Sequence, residues 1–321
     1  LNFFKSTPLC YNDKDKIFHF NSRIKEETTM GSISAVDQKT GRKCFLDDPD
    51  DLKADEQVVF ILNLHGGGSH GVWQHLYFPA HDYKNKYRLV VATPSAATKE
   101  PMRHWAAEAD DEHLKNIVEL VCDRYGKDRI KSFWLAGHSQ GGMTSNRLLR
   151  TDYYAKRVDG WLSLSGGRIG PVERPASFFT GHEGRPRIPM PAPNGPGLDL
   201  SVMPDCDISF IFAIGELEIV KLPETSPWAE KYGAGPRVRM PDVVDTEKGQ
   251  VSDAAANRGP SWGREARPGT AHIYVFPNAR DGRVIADVVR LDKGHTEGLE
   301  PKITEELIKM MVSAPGGKLI A

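Results

Sequence analysis

Several protein classes are excluded by what this sequence has little of. Cysteine is scarce: Cys10, Cys44, Cys122 and Cys206 are the four in 321 residues, far apart and with no pair at metal-ligand spacing. Two disulfides and four buried thiols both stay open. An excess of charge is also missing. The chain sets 42 Lys and Arg against 43 Asp and Glu, and a net charge of -1 offers no field to hold a polyanion, which argues against a general nucleic-acid binder. No strictly apolar run exceeds the five residues of Val58–Leu62 and Phe210–Ile214, so no segment is expected to span a bilayer. Internal repeats are absent. What remains is a 39% hydrophobic, 26% charged composition that suits a globular chain and neither a disordered, a collagenous nor a coiled-coil one. The sequence opens at Leu1 rather than Met, which leads us to expect that something upstream was removed or left out, and compartment and oligomeric state stay open.

The pattern along the chain predicts alternating strands and helices. The first ~50 residues alternate weakly, through Ile17–Phe20 and Ser32–Val36, with a turn at Thr40-Gly41-Arg42, as an antiparallel lead-in would. Continuous apolar and β-branched runs follow at Val58–Leu64, Leu89–Ala92, Ile130–Ala136, Trp161–Leu164, Ile208–Ile214 and Ile285–Leu291. Runs of this kind suit strands buried on both faces. Helical periodicity marks Glu112–Tyr125, opened by Asp110-Asp111 and closed by Gly126, then Gly141–Leu149, then Pro301–Val312 with Pro at its first position. The expected fold class is therefore α/β, a mostly parallel central sheet flanked by helices, in one domain spanning 1–321. Two stretches break the rhythm. Pro171–Pro204 holds eight prolines in 34 residues, and Lys221–Ala271 holds six prolines and six glycines in 51. Both lie between core strands and read as lid-like excursions from one domain.

Three short segments carry the chemistry. Gly137-His138-Ser139-Gln140-Gly141-Gly142 fits G-x-S-x-G after an apolar strand and before a helix, the context in which a tight turn lifts a serine hydroxyl above a sheet. Ser139 is the candidate nucleophile. The first buried strand ends in His65-Gly66-Gly67-Gly68-Ser69, whose backbone N–H groups at Gly67 and Gly68, with that of Gln140, would form an oxyanion hole. His65 itself reads as a loop brace. His295, in Asp292-Lys293-Gly294-His295, lies past the last strand and before the final helix, where the chain order Ser, acid, His places the base.

The acid should follow the fifth strand, where the chain reads Ile214-Gly215-Glu216-Leu217-Glu218. Glu218 is the first choice, because three residues past Gly215 leave room to turn a carboxylate toward His295. Glu216 is the alternative. No metal site is expected: His65, His70, His75 and His81 are spaced five, five and six apart, which is neither a helical i, i+4 pair nor a zinc pattern.

These stretches together resemble the α/β-hydrolase superfamily, most closely its polyhydroxybutyrate-depolymerase and feruloyl-esterase-like serine esterases. LNLHGGGSHG, the segment from Asp110-Asp111 through Arg124-Tyr125-Gly126, and FWLAGHSQGGM carry the likeness. It covers roughly residues 58–169, 208–220 and 285–312 and leaves out both excursions. The resemblance implies an α/β-hydrolase fold, ester hydrolysis through an acyl-enzyme, and no cofactor. Its acid loop usually reads Gly-x-x-Asp, which puts Glu218 where the Asp belongs.

Three functions fit these residues: a serine esterase, a serine hydrolase of the same fold acting on an amide, lactone or carbon–carbon bond, and a non-catalytic binding member. The expected partner is a small-molecule ester. Arg168, Arg174, Arg185, Arg187, Arg237, Arg239, Arg258, Arg264 and Arg267, with Phe178, Phe179, Trp228, Tyr232 and Trp262, lie in or beside the excursions of a nearly neutral chain. Either these arginines pair with local acids, or some line the site and favour a small polar or aromatic ester that can bear its own carboxylate.

Overall fold

The computed structural model describes residues 33–170, 172–175, 202–253 and 259–320. Ser34–Ala321 cluster as one compact unit. Its strands are β1 (Ile33–Val36), β2 (Lys43–Asp47), β3 (Val58–Leu64), β4 (Leu89–Pro94), β5 (Ile130–His138), β6 (Gly160–Leu164), β7 (Ser209–Gly215), β8 (Val238–Arg239), β9 (Val243–Val244), β10 (Thr270–Val275) and β11 (Ile285–Arg290). They form one sheet in the order β1-β2-β4-β3-β5-β6-β7-β11-β10-β8, with β9 also on β10. The inner pairs β4–β3, β3–β5, β5–β6, β6–β7 and β7–β11 are parallel, while β2 and β10 pair antiparallel with their inner neighbours.

Alternation within each strand feeds two cores. Phe60, Leu62, Leu64, Phe133, Leu135 and Trp161 face one side, where the helix α2 (Ala107–Tyr125) covers them with Leu114, Ile117, Val118 and Val121. Val59, Ile61, Trp134, Ala136 and Leu162 face the other, against Ile303, Leu307, Ile308 and Met311 of α5 (Pro301–Ser313). Burial on both faces explains why the inner strands lack polar alternation. The helix α1 (Gly71–Tyr77) follows β3, α3 (Gln140–Leu149) follows β5, and the short α4 (Pro227–Lys231) follows β7. Among the described residues no helix is long and apolar enough to cross a membrane.

The second excursion builds more structure than the sequence suggests. It contains α4, β8 and β9 and leads into β10, and these last three strands extend the sheet edge. Trp228 and Tyr232 are buried in the core. Cys44, Cys122 and Cys206 are buried free thiols, and Cys10 lies outside the described residues, as do Ile17–Phe20 of the expected lead-in.

Register brings the functional segments to one edge. Leu64 pairs with Gly137, His138 with Leu164, Leu164 with Ala213, and Gly215 with Arg290, so β3, β5, β6, β7 and β11 end side by side. There the turn after β5 packs against backbone. A Cβ on Gly141 would overlap the Leu64 carbonyl oxygen and lie 2.7 Å from that of His65. Overpacking against fixed backbone typically costs ~1–3 kcal/mol. We therefore expect Gly141→Ala to lower the unfolding free energy by about that amount or more in urea titrations. Gly167→Ala, whose Cβ would meet nothing within 4 Å, should change it by less than about 1 kcal/mol.

Candidate active site

Ser139 sits on the turn between β5 and α3 with φ 51° and ψ -116°, a backbone region that side chains other than glycine rarely occupy. Its N–H donates to the Leu164 carbonyl at 2.8 Å, which pins the turn to β6. Ser139 stands at the N-cap position of α3 yet makes no side-chain cap bond. Its Oγ lies instead 2.8 Å from His295 Nε2. On the far side of the ring, Nδ1 lies 2.6 Å from Glu218 Oε2. The structure thus joins Ser139, His295 and Glu218 in one hydrogen-bonded line.

Glu218 is fully buried, and its two oxygens are held by four donors. Oε1 accepts from Ser165 Oγ at 2.6 Å and from the Gly215 N–H at 2.9 Å, while Oε2 accepts from His295 and from Arg174 Nη1 at 3.2 Å. Burial alone would raise its pKa, but His295, Arg174 and Ser165 together outweigh it and hold the carboxyl down at about 2. Glu216 lies elsewhere: it is exposed, and its Oε2 accepts the Asp292 N–H at 2.9 Å.

His295 rides on a loop fixed from below and from the side. Its own N–H donates to the Ser261 carbonyl at 3.0 Å, the next N–H donates to that of Trp262 at 2.8 Å, and the Trp262 ring stands edge-on to the imidazole at 4.9 Å. Under the loop, Arg290 donates to the carbonyls of Glu297 and Gly298, each at 2.7 Å, and to both oxygens of Glu300. Glu300 also receives Lys293 Nζ at 2.6 Å. Glu297 caps the Gly294 N–H at 2.6 Å.

The glycine-rich loop after β3 crosses the turn at close range. A Cβ on Gly66 would come within 3.3 Å of Ser139 Cβ. His65 braces this loop, as expected: Nδ1–H donates to the Gly66 carbonyl at 2.7 Å, and Nε2 accepts the Ala96 N–H at 2.9 Å. Burial pushes its pKa down to about 3, so it stays neutral. One of the three expected oxyanion donors must be corrected. The Gly68 N–H already donates to the Arg103 carbonyl at 2.7 Å and cannot serve a second acceptor well. Neither the Gly67 nor the Gln140 N–H has an acceptor among the described residues.

Sequence reasoning passed over two further residues, His138 and Ser165, and did not foresee that Arg174 meets the candidate acid. His138, the variable residue of the G-x-S-x-G pattern, donates from Nε2 to the His295 carbonyl at 2.7 Å and is held neutral by burial. Ser165 and Arg174 reach Glu218 from segments with no recognisable pattern. Each described arginine of that set has an acid partner, but Arg239 alone finds one a few residues away and most pair across the fold. Arg168 binds Asp287, Arg174 Glu218, Arg237 Glu224, Arg239 Asp242, Arg264 Asp292, and Arg267 both Glu297 and Asp292. Arg185, Arg187, Arg258, Phe178 and Phe179 lie outside the described residues. Among the described residues no cluster of His, Cys, Asp and Glu could hold a metal ion.

No protein-family model matches the chain, and no curated protein matches it in sequence. Solved structures do match in shape. The acetyl xylan esterase from Aspergillus awamori aligns with a TM-score of 0.50 at 12% identity, covering 88% of this chain and 100% of its own. A hormone-sensitive lipase from a metagenome library aligns with a TM-score of 0.49 at 14% identity, covering 99% of this chain and 93% of its own. At such identities the likeness speaks to architecture, and the chain has the α/β-hydrolase fold.

The depressed pKa of Glu218 has a consequence for stability. Its carboxylate stabilises the folded chain fully above its ordinary value of 4.5, and that contribution disappears as the pH falls through about 2. The melting temperature of the wild type should therefore exceed that of Glu218→Gln by a margin that narrows as the pH falls from about 4.5 toward about 2. A margin independent of pH would mean that Glu218 is not ionised in the folded state.

Proposed function

We propose that this chain is a serine hydrolase that cleaves a carboxylic ester through an acyl-enzyme on Ser139, and that the compact unit from Ser34 onward carries the whole activity. The observation behind this reading is the continuous line from Ser139 Oγ through the His295 ring to Glu218, with both links between 2.6 and 2.8 Å. Ionised Glu218 accepts the Nδ1 proton, which leaves Nε2 free to take the proton of the serine hydroxyl. Ser139 then attacks the acyl carbon, and the oxyanion rests on the N–H groups of Gly67 and Gln140. His295 returns the proton to the leaving alcohol, and water repeats the sequence on the acyl-enzyme. The strained φ of Ser139 and the glycines that crowd it serve one end here, the exposure of one hydroxyl at the sheet edge. The acetyl xylan esterase of similar fold agrees with ester cleavage, and the four donors on Glu218 support it as the acid over Glu216.

A fluorophosphonate probe and a panel of 4-nitrophenyl esters test this directly. The probe should label the wild type and not Ser139→Ala, and the substitution should lower kcat/KM by at least ~10³-fold with the melting temperature little changed. Labelling without ester turnover would move the activity to an amide, lactone or carbon–carbon bond, and a folded chain that takes no label would not be an enzyme of this class. Glu218→Gln should reduce kcat far more than Glu216→Gln, whose side chain only holds the Asp292 N–H. The reverse ranking would transfer the acid role to Glu216.

A further inference from the structure

The first excursion reaches the proposed triad through one side chain. Arg174 enters on the segment after β6, and backbone holds that segment against the acid loop. The Val220 N–H donates to the Glu173 carbonyl at 2.7 Å, and Glu173 forms an antiparallel bridge with Lys221. The Arg174 side chain is 16% exposed, and its Nη1 donates to Glu218 Oε2 at 3.2 Å. The same oxygen lies 2.6 Å from His295 Nδ1. One carboxylate oxygen is thus shared between a permanent cation and the proposed base.

Charge gives this sharing a consequence. Glu218 is fully buried, and its other two donors, the Ser165 hydroxyl and the Gly215 N–H, are neutral. Before reaction His295 must be neutral as well, because a protonated ring cannot take the serine proton. Among the described residues Arg174 is then the one cation paired with the buried carboxylate. Without it the imidazole alone would have to balance that charge, and the pair would draw in a proton that blocks the base. The other charged and titratable groups around the ring are engaged elsewhere. His138 and Tyr77, both held neutral by burial, face the His295 carbonyl. Arg290 and Lys293 bind Glu300, and Glu216 holds the Asp292 N–H.

We propose, resting on the esterase reading above, that Arg174 is a positioning residue for the reaction: it supplies the counter-charge of Glu218 while the ring is neutral, and so keeps His295 able to accept the serine proton. It acts through the acid rather than on the reacting atoms. A segment outside the stretches that resemble known esterases would thereby set the pH range in which the serine is active.

The rate of fluorophosphonate labelling needs the neutral base, so its pH dependence reads this role. Removing the cation favours the protonated ring. In Arg174→Gln and Arg174→Met the pH below which labelling falls away should therefore rise by about one unit or more. Gln can still donate a hydrogen bond but carries no charge. Arg174→Lys keeps the charge and should bring that limb back to within about half a unit of the wild type. Circular dichroism at each pH separates loss of the base from acid unfolding. A limb that stays in place in both uncharged variants would overturn the role and leave Arg174 a structural residue. A limb that Gln preserves as well as Lys does would overturn it too, since the hydrogen bond would then matter and the charge would not. A folded wild type that takes no label removes the esterase reading and this role with it, whereas a labelled wild type with an unmoved limb in the variants removes the role alone.

Discussion

One steric condition governs the site: the turn after β5 must press against the end of β3 with backbone alone between them. Gly141 lies so close to the Leu64 and His65 carbonyls that no Cβ fits, and Gly137 is as close to the backbone of Gly141 and Gly142. This approach is what places the Ser139 hydroxyl and the N–H groups of Gly67 and Gln140 at the same sheet edge. The cost is a strained Ser139 conformation, which the Leu164 carbonyl and the start of α3 hold in place. Relaxing the contact would lower the strain and at the same time separate the serine from its neighbours.

The imidazole depends on a different force. Its loop lies over Arg290, Lys293 and Glu300, charges that the fold has removed from water. Breaking a buried pair of this kind typically costs ~3–5 kcal/mol, because the partner is left uncompensated. Two of Arg290's bonds go to backbone carbonyls of the loop rather than to the acid, so the network fixes the course of the chain as well as its own charge balance. Above it, His138 grips the carbonyl of His295 itself. The residue next to the serine thereby ties the histidine to the same turn, and the two ends of the 2.8 Å Ser139–His295 link share one anchor.

The parallel strands, the three long helices and the meeting of Ser139, Glu218 and His295 were legible because they follow local rules: apolar runs for strands buried on both faces, a 3.6-residue stripe for α2 and α5, and glycines where backbones meet. The sheet edge was not. β8 and β9 are two residues long each, and β10 alternates only partly, so their pairing is set by the neighbour β11 rather than by their own composition. The helix α2 begins a turn earlier than its stripe suggests, where Asp110 reaches back to the Ala106 N–H. Gly68 looked equal to Gly67 as a donor, since nothing in a run of glycines says which N–H a distant Arg103 carbonyl will take. His138 was hidden by the pattern that revealed Ser139, which leaves that position unspecified.

The proposed acid, Glu218, shows how a glutamate can stand where the resemblance leads one to expect an aspartate. The carboxylate has to reach His295 and also find partners for every lone pair in a site with no access to water. From position 218, at the end of a single 3-10 turn, the longer side chain folds back far enough to accept the N–H of Gly215, the first residue of its own turn, while its other oxygen meets the imidazole. Ser165 and Arg174 then complete the set from two other segments. Arg174 enters just after β6 and its loop, where Val220 N–H also donates to the Glu173 carbonyl at 2.7 Å. The start of the first excursion is thus pinned to the acid loop twice, once through backbone and once through the carboxylate that orients the histidine. A segment whose sequence shows no periodicity is in this way tied directly to the electrostatics of the serine.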